Sequence, residues 1–299
     1  MHKFIIERQT CQQQAIDDGP VLIKDDVVYH VPSKNMCNGN EAQLNIDLLY
    51  PMGKGAIKIG QEEWDCLEEG KCLNDSIIEF YLHHILKSVG DGCYQTRTHI
   101  FPTHFFTKLI APGKTPMGVS NQCSASIRHA NVSRWTKHIN IFQKQFIVIP
   151  VCLSGHWFVV IVCHPSYVGP VKAATEFTGR ANLKRPAILL FDSINGRNKE
   201  AVADVIRGYL ACEYAAKYGK TKHFTSEILP GVYADVPQQN NGVDCGVFLL
   251  EYVERFFTDD RACTLDHIRS WFTVGDIRRK RTTIRGLIQV LANARHVLN

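Results

Sequence analysis

The spacing of apolar residues predicts four helices in this chain. The clearest covers 72–88, and its apolar residues fall on one helical face: Ile77, Ile78, Tyr81, Leu82, Ile85 and Leu86. Asn74, Asp75 and Ser76 are each suited to cap its amino terminus, because their side-chain oxygens can accept hydrogen bonds from backbone N–H groups. The other three helices are predicted at about 198–218, 246–257 and 275–298.

Continuous apolar runs that are rich in β-branched residues predict the strands. Three of them are clear, at 146–151, 156–162 and 187–192, and a fourth lies near 228–235. Strands that are covered on both faces show such runs, because neither face needs polar side chains. We therefore expect an α+β fold in which helices lie on both sides of a short central sheet.

The density of predicted helices and strands divides the chain into two parts. Residues 46–299 are predicted to form one domain, interrupted by a 163–186 segment that contains three prolines and joins two predicted strands. A segment of this length between two strands is predicted to be an inserted loop. Residues 1–45 are mixed, with one strand-like run at 21–31, and we expect an extension that packs on the domain or regulates it.

Composition and charge are those of an ordinary globular protein. Apolar residues make up 45% of the chain and charged residues 21%, and the net charge of +5 permits an acidic partner surface without requiring nucleic acid. No stretch of about 20 apolar residues is present, so no membrane-spanning helix is predicted. The amino terminus also lacks the apolar core of a secretory signal.

The eleven cysteines indicate neither a disulfide framework nor a zinc site. Their number is odd and no C-x-x-C pair occurs, although ligands that are distant in sequence could still meet in the fold. The useful question is therefore whether one of these cysteines is a nucleophile.

Cys245 stands at the start of the predicted 246–257 helix. Apolar residues line a broad face of that helix, and Glu251, Glu254 and Arg255 form its predicted solvent-exposed stripe. The free backbone N–H groups at a helix amino terminus stabilise an anion, so a thiol placed there has a lowered pKa. A buried structural cysteine at a helix start is the alternative interpretation.

A thiolate nucleophile needs a base and an orienting group, and His156 and Asp192 are suitably placed. His156 opens one predicted strand directly after Gly155, and Asp192 ends the next strand. If the two strands pair antiparallel, both side chains lie at the same edge of the sheet. Gln238 or Gln239 could donate to an oxyanion, but the spacing alone does not decide between this role and two exposed glutamines in a loop. Each of these residues also has an ordinary structural explanation, as a satisfied polar group, a turn former or part of an exposed loop.

The candidates occur along the chain as His156-Trp157, then Asp192, then the segment PQQNNGVDCG at 237–246. In that order they resemble the catalytic elements of the SUMO-specific cysteine proteases, also called sentrin-specific or ubiquitin-like-protein-specific proteases. Further segments that look like this family are 66–82, 100–109 and 135–150, and the resemblance covers roughly 46–299. The long inserted loop resembles the insertions that one branch of the family, the branch that trims SUMO chains, carries within its catalytic domain.

The resemblance implies a papain-like fold with a central mixed sheet flanked by helices. It implies that Cys245 is the nucleophile, that His156 is the general base and acid, and that Asp192 orients the imidazole. Gln239, which matches the family's spacing between glutamine and cysteine, would donate to the oxyanion. No metal and no organic cofactor is implied.

Three further residues are implied to contact the modifier. Trp157 would cover a narrow channel for the modifier's Gly-Gly tail, since only residues without a Cβ fit there. Asp75 would meet a basic side chain of the modifier. Cys72 stands where many family members have tryptophan and some have phenylalanine, so the channel wall is smaller and the clamp on the tail is looser.

We therefore expect a thiol isopeptidase that removes SUMO-type modifiers from lysines of target proteins, and that can process SUMO precursors or trim SUMO chains. The expected partners are the modifier and its conjugates, with no membrane partner; we expect a monomer in the nucleus, with the cytoplasm as the alternative. The alternative functions are a protease for the neddylation modifier or ubiquitin, a same-fold acetyltransferase, and a non-catalytic modifier-binding module. A nucleic-acid-binding interpretation would rest on the basic run 278–281, which is more simply the exposed face of the last helix.

Overall fold

The computed structural model describes residues 47–51, 55–89, 93–112, 124–168, 186–195, 200–259 and 268–296. The predicted extension 1–45, with its strand-like run, lies outside the described residues, and so does 169–185 of the predicted inserted loop. The domain boundary between residues 45 and 46 stays a prediction.

The described residues form eight α-helices and seven β-strands. The helices are α1 (Gln61–Asp65), α2 (Asp75–Ser88), α3 (Cys93–Arg97), α4 (Phe105–Ile110), α5 (Ser124–Val132), α6 (Glu200–Tyr218), α7 (Cys245–Thr258) and α8 (Val274–His296). The strands are β1 (Leu48–Tyr50), β2 (Ile57–Ile59), β3 (Thr98–Ile100), β4 (Phe146–Leu153), β5 (His156–Cys163), β6 (Ala187–Phe191) and β7 (Gly231–Tyr233). Among the described helices, none has the length and apolar character needed to cross a membrane.

The four helices predicted from apolar spacing are α2, α6, α7 and α8. Asn74 is the residue that caps α2, since its side-chain oxygen accepts a hydrogen bond from the backbone N–H of Ile77 at 3.1 Å. Asp75 therefore lies in the first turn of α2 rather than at the cap, and it is exposed. Of the three residues suited to cap this helix, Asn74 is thus the one that does so.

Five strands form one mixed sheet in the order β3-β4-β5-β6-β7. The two central pairs, β4–β5 and β5–β6, are antiparallel, whereas the outer pairs, β3–β4 and β6–β7, are parallel. Strands β1 and β2 pair separately as an antiparallel ribbon. The three clear predicted strands are β4, β5 and β6, and the antiparallel pairing expected of β5 and β6 is confirmed.

Helices cover both faces of the five-stranded sheet, as predicted. Side chains alternate along a strand, so Trp157, Val159 and Ile161 of β5 join a core with α2, α7 and α8. Phe158 and Val160 join the opposite core, which is formed with α4, α5 and α6. Burial on both faces explains why all eight residues of β5 are buried.

A two-residue turn joins β4 to β5. Leu153 pairs with His156, and the residues between them, Ser154 and Gly155, have φ angles of +51° and +74°. Two consecutive positive φ angles are typical of a type I′ turn, whose twist matches that of an antiparallel hairpin. Glycine adopts this conformation without strain at the second position. The turn thus fixes His156 as the first residue of β5.

Two predictions about charged residues are wrong for one reason. Glu251 of α7 and Lys280 of α8 are predicted to be exposed, but both are buried. Helix α8 packs on α7, and Lys280 Nζ lies 2.7 Å from Glu251 Oε2. Arg281 is buried too, whereas Arg278 and Arg279 are exposed. Only half of the basic run is therefore surface, because the other half pairs with carboxylates of neighbouring elements.

Candidate active site

Cys245 is buried at the first residue of α7. Its Sγ atom is hydrogen-bonded to the His156 imidazole and to the backbone N–H groups of Trp157 and Gly246. Burial raises the pKa of the Cys245 thiol, but these hydrogen bonds and the charge of the imidazole together lower it more, so that its pKa lies below the ordinary thiol value. The site therefore favours the thiolate form.

The imidazole of His156 is held from its other side by Asp192. His156 Nε2 lies 2.7 Å from Asp192 Oδ1, and the same oxygen accepts a hydrogen bond from the backbone N–H of Ile194 at 2.8 Å. Burial lowers the pKa of His156, but the hydrogen bonds to Asp192 and Cys245 outweigh burial and raise it to about 9. Because the two pKa values shift in opposite directions, the site favours a thiolate–imidazolium pair.

The sheet explains why these three side chains meet. Strands β5 and β6 run antiparallel with Val159 opposite Phe191, so the start of β5 lies beside the end of β6. His156 starts β5 and Asp192 follows β6, while α7 packs on β5 and brings Cys245 to them. The expected juxtaposition of His156 and Asp192 at one edge of the sheet is present.

The amino terminus of α7 approaches the segment before α2 very closely. A Cβ atom at Gly246 would lie 3.0 Å from Leu73 Cβ and 3.2 Å from Ile78 Cδ1. A side chain here would require Leu73 or Ile78 to move by a few tenths of an ångström, so the close approach favours glycine. The contact brings the segment that contains Cys72 to the Cys245 end of α7.

The two glutamines before α7 have different hydrogen-bond partners. Gln238 Nε2 donates to two backbone carbonyl oxygens, that of Asp192 at 3.0 Å and one within its own loop at 2.9 Å. Gln239 is half-buried; its Oε1 accepts a hydrogen bond from the Ser193 hydroxyl, and its Nε2 donates to the carbonyl oxygen of Asn241 at 2.5 Å. Both side-chain N–H groups of Gln238 thus donate hydrogen bonds within the protein, whereas only one of the two side-chain N–H groups of Gln239 does so.

The residue before Cys245 is tied to α8. Asp244 Oδ1 accepts a hydrogen bond from Arg281 Nη2 at 2.6 Å, and Asp244 Oδ2 accepts one from Asn241 Nδ2 at 2.7 Å. The same guanidinium donates to three backbone carbonyl oxygens, those of Cys66, Glu68 and Lys71. Arg281 therefore joins the loop before Cys245 to the segment that leads into α2.

A polarised thiol, an imidazole and a buried carboxylate are the groups that nucleophilic acyl transfer requires. Across the described ranges, no group of three or more His, Cys, Asp or Glu side chains is arranged to hold a metal ion. The thiol, the imidazole and the carboxylate together support the chemistry of a thiol nucleophile with a neighbouring base.

Residues 71–273 match the sequence profile of the Ulp1 protease family, C-terminal catalytic domain. The match covers more than half of the chain and includes Cys245, His156 and Asp192. The chain belongs to the Ulp1 protease family. This is a cysteine protease family, and the family predicted from the sequence motifs is confirmed.

A curated relative of this Ulp1-family chain agrees with the assignment. The chain is 31% identical over 286 residues to sentrin-specific protease 7 of Rattus norvegicus, and the alignment covers 80% of this chain and 27% of the relative. The chain therefore spans about a quarter of the length of that relative.

Two solved structures share the Ulp1-like fold. A de-sumoylating protease gives a TM-score of 0.64 at 22% identity, covering 84% of this chain and 93% of that chain. The C-terminal Ulp1 protease domain in complex with Smt3, the yeast orthologue of SUMO, gives 0.51 at 24% identity, covering 81% of this chain and 87% of that chain. The predicted mixed sheet flanked by helices is confirmed.

The residues that the Ulp1 resemblance assigns to the modifier lie around Cys245. Trp157 is buried, and its backbone N–H is bonded to the Cys245 sulfur. Cys152 pairs with Trp157 across β4 and β5, and burial, followed by the charges of Asp75 and Cys245, raises the pKa of its thiol. The charge of Asp75 therefore acts on this group, and Cys72 is exposed. Their contacts with a modifier stay predictions.

Sequence reasoning missed two members of this Ulp1-family site, Ser193 and Arg281, and the structural role of a third, Gln238. Ser193 directly follows Asp192, and that adjacency is the signal that could have found it. Gln238 was weighed only as an oxyanion donor, although it holds the Asp192 backbone. Arg281 lies in a basic run, and no sequence signal connects it with Asp244.

Proposed function

We propose that this chain is a thiol isopeptidase that removes SUMO-type modifiers from lysine side chains. The observation that carries the proposal is the hydrogen-bonded series Cys245, His156 and Asp192 in a member of a cysteine protease family. Opposed pKa shifts of a thiol and an imidazole serve catalysis, and a module that only binds a modifier has no need of them. SUMO as the substrate class is supported by the names of the relatives, a sentrin-specific protease and a de-sumoylating protease.

In the first half-reaction, the Cys245 thiolate attacks the carbonyl carbon of the modifier's last glycine. The carbonyl π electrons move to the oxygen, which becomes an oxyanion. The bond from carbon to the lysine nitrogen then breaks as the His156 imidazolium gives its proton to that nitrogen. The products are a thioester on Cys245 and a target protein with a free lysine amine.

Gln239 is the proposed oxyanion donor. Both N–H groups of Gln238 are engaged by backbone carbonyl oxygens, which supports the choice of Gln239. The backbone N–H of Cys245 at the helix amino terminus is the second donor. Both donors act on charge that develops in the transition state and so lower the barrier.

In the second half-reaction, water hydrolyses the thioester. Neutral His156 takes a proton from water, and the water oxygen attacks the thioester carbon. Collapse of that intermediate expels the Cys245 thiolate and releases the modifier's carboxylic acid, which loses its proton to solvent, while the proton taken from water stays on His156. Asp192 keeps the imidazole oriented through both steps and stabilises its positive charge.

The residues near Cys245 suit a diglycine tail. Trp157 beside the thiol closes one side of a channel that admits residues without a Cβ, and Asp75 offers a negative charge at the outer end. Exposed Cys72 leaves the other wall low. We extend the proposal to SUMO precursors and SUMO chains, in keeping with the similarity to sentrin-specific protease 7, and to a nuclear location, which imaging of the tagged protein tests.

Electrophilic probes test the function and the modifier together. The protein is mixed with probes that carry an alkylating carboxy terminus on SUMO, on the neddylation modifier or on ubiquitin. We expect a covalent adduct with the SUMO probe that is absent in Cys245→Ser. Cys212→Ser is the matched control, because it removes a half-buried free thiol on α6, outside the site, and should keep the adduct. An adduct with another probe alone would change the substrate class, and no adduct with any probe would contradict the proposal.

Cys245→Ser is expected to abolish turnover while the protein still binds SUMO. A serine hydroxyl is a far weaker nucleophile at neutral pH, and serine is close to the buried cysteine in volume and accepts the same hydrogen bonds, so the fold should be kept. Turnover of a SUMO-linked reporter should fall below detection, and titration calorimetry should still show binding. Residual turnover above a few per cent would mean that another group attacks the carbonyl.

A further inference from the structure

Ser193 is buried at the end of β6, directly after Asp192, and it bonds twice to Gln239. The Ser193 hydroxyl donates to Gln239 Oε1, and the backbone N–H of Gln239 donates to the carbonyl oxygen of Ser193 at 3.0 Å. Only 1% of Ser193 is exposed, so solvent does not compete for its hydroxyl. A buried hydroxyl that needs a partner would ordinarily find a backbone carbonyl, whereas this one holds the side chain of the proposed oxyanion donor.

The hydrogen-bond inventory of the Gln239 amide shows what this contact achieves. A primary amide has one carbonyl oxygen and two N–H groups. Gln239 Oε1 accepts from Ser193, and one N–H group donates to the Asn241 carbonyl oxygen. Among the described residues the second N–H group has no partner, so it can donate to a substrate oxygen.

The two contacts have different effects on the amide. The Asn241 carbonyl only accepts hydrogen bonds, so it determines which end of the Gln239 amide carries the N–H groups. A flipped amide would place two oxygens against each other there. The Ser193 hydroxyl holds the opposite end and so restricts rotation of the amide about its last side-chain bond.

We propose that Ser193 is a positioning residue that holds the Gln239 amide with its remaining N–H group toward the oxyanion; this rests on the proposed role of Gln239. Two adjacent residues then orient two separate groups of the site. The Asp192 carboxylate orients His156, and the Ser193 hydroxyl orients Gln239. Gln238 bonds to the Asp192 carbonyl oxygen and fixes the loop to the same point.

Steady-state kinetics on a SUMO-linked reporter tests the inference. We expect Ser193→Ala to lower kcat about tenfold with KM unchanged, the effect of one ordinary hydrogen bond felt only in the transition state. Gln239→Ala should lower kcat about a hundredfold, as loss of an oxyanion donor does. In the Gln239→Ala background, Ser193→Ala should cause no further loss, because the amide it positions is gone. Ser193→Thr, which keeps the hydroxyl, should recover most of kcat.

Controls separate this inference from a general structural effect and from failure of the proposed function. The alkaline limb of the pH profile should be the same in Ser193→Ala as in the wild type, because His156 and Asp192 are untouched. Wild-type kcat in Ser193→Ala, with Gln239→Ala impaired, would overturn the inference alone. The inference would also be overturned if Ser193→Ala lowered kcat as much in the Gln239→Ala background as it does in the wild type. Full kcat in Gln239→Ala would instead refute the oxyanion assignment. If Ser193→Ala does not fold, Ser193→Cys keeps the volume with a weaker donor and replaces it in each comparison.

Discussion

Two histidine–carboxylate pairs of the same length lie in different parts of the molecule. His156 Nε2 is 2.7 Å from Asp192 Oδ1, and His129 Nε2 is 2.7 Å from Glu213 Oε2. The first pair lies at the sheet edge where β5 starts, and the second joins α5 to α6. Both carboxylates are buried, with 4% and 2% of their side chains exposed. Neither the distance nor the burial of the carboxylate distinguishes the two pairs.

The third partner distinguishes them. The His156 imidazole is also hydrogen-bonded to the Cys245 sulfur, so it lies between a carboxylate and a nucleophile. Around the other pair, Lys217 Nζ lies 3.9 Å from the second oxygen of Glu213, and the Tyr209 ring lies 5.8 Å from the ring of His129. That pair is enclosed by structural groups. A histidine–carboxylate hydrogen bond thus serves to join two elements of the fold unless a nucleophilic atom also contacts the histidine.

The largest expected effect comes from replacing each histidine by glutamine. His156→Gln should lower kcat/KM by at least about a thousandfold, because the thiolate loses its base and the leaving amine loses its proton donor. His129→Gln should leave kcat/KM within about twofold and lower the free energy of unfolding by about 1–3 kcal/mol, since the Glu213 carboxylate stays buried with a weaker partner. Reporter hydrolysis and urea denaturation measure the two quantities. Similar losses of activity in both variants would remove the distinction between the pairs.

The carboxylates give the next largest effect, which is read from the pH profile. In the wild type kcat/KM should fall as pH rises through about 9, because His156 then loses the proton that it must donate. Asp192→Asn removes the carboxylate that raises the His156 pKa, so this fall should move to lower pH, and the maximum should drop roughly a hundredfold or more.

Glu213→Gln is the matched control for Asp192→Asn. It neutralises a carboxylate that is equally buried, and both the position of the alkaline limb and the maximum should stay at their wild-type values. An unchanged alkaline limb in Asp192→Asn would mean that another group sets the His156 pKa.

The smallest expected effect is on acid stability. Burial raises the pKa of Glu213, but hydrogen bonds, first of all the one from His129, lower it by more than burial raises it. The pKa of Glu213 in the folded state therefore lies below its pKa in the unfolded state. The carboxylate therefore stabilises the fold above the unfolded pKa, and this contribution is lost as pH falls through the folded pKa. The unfolding free energy of the wild type should consequently decline more steeply below about pH 4.5 than that of Glu213→Gln. Parallel curves would mean that Glu213 has the same pKa in both states.

The sequence predicts the long elements and the sheet edge well. Helices α2, α6, α7 and α8 are periodic over several turns, and β4, β5 and β6 are continuously apolar because both faces are buried. Chain order and antiparallel pairing then suffice to place His156 beside Asp192. Strands β1, β2 and β3 have three residues each, which is too short to show any period.

Other features depend on side-chain partners that no periodicity encodes. The difference between Gln238 and Gln239 lies in the atoms to which each amide donates, and those atoms belong to residues 192, 236 and 241. Glu251 and Lys280 look like surface charges on their own helices. They are buried together because α8 crosses α7 at that point, and the crossing is set by tertiary packing.

Evolution of chain length is constrained at the two-residue turn between β4 and β5. One residue inserted between Leu153 and His156 would either break the type I′ geometry or slide β5 by one position along β4. Such a slide exchanges the two faces of the strand, so Trp157 would leave Cys245 for the core that holds Phe158. Homologous chains should therefore keep this hairpin turn at two residues, even where their overall sequence identity has become very low.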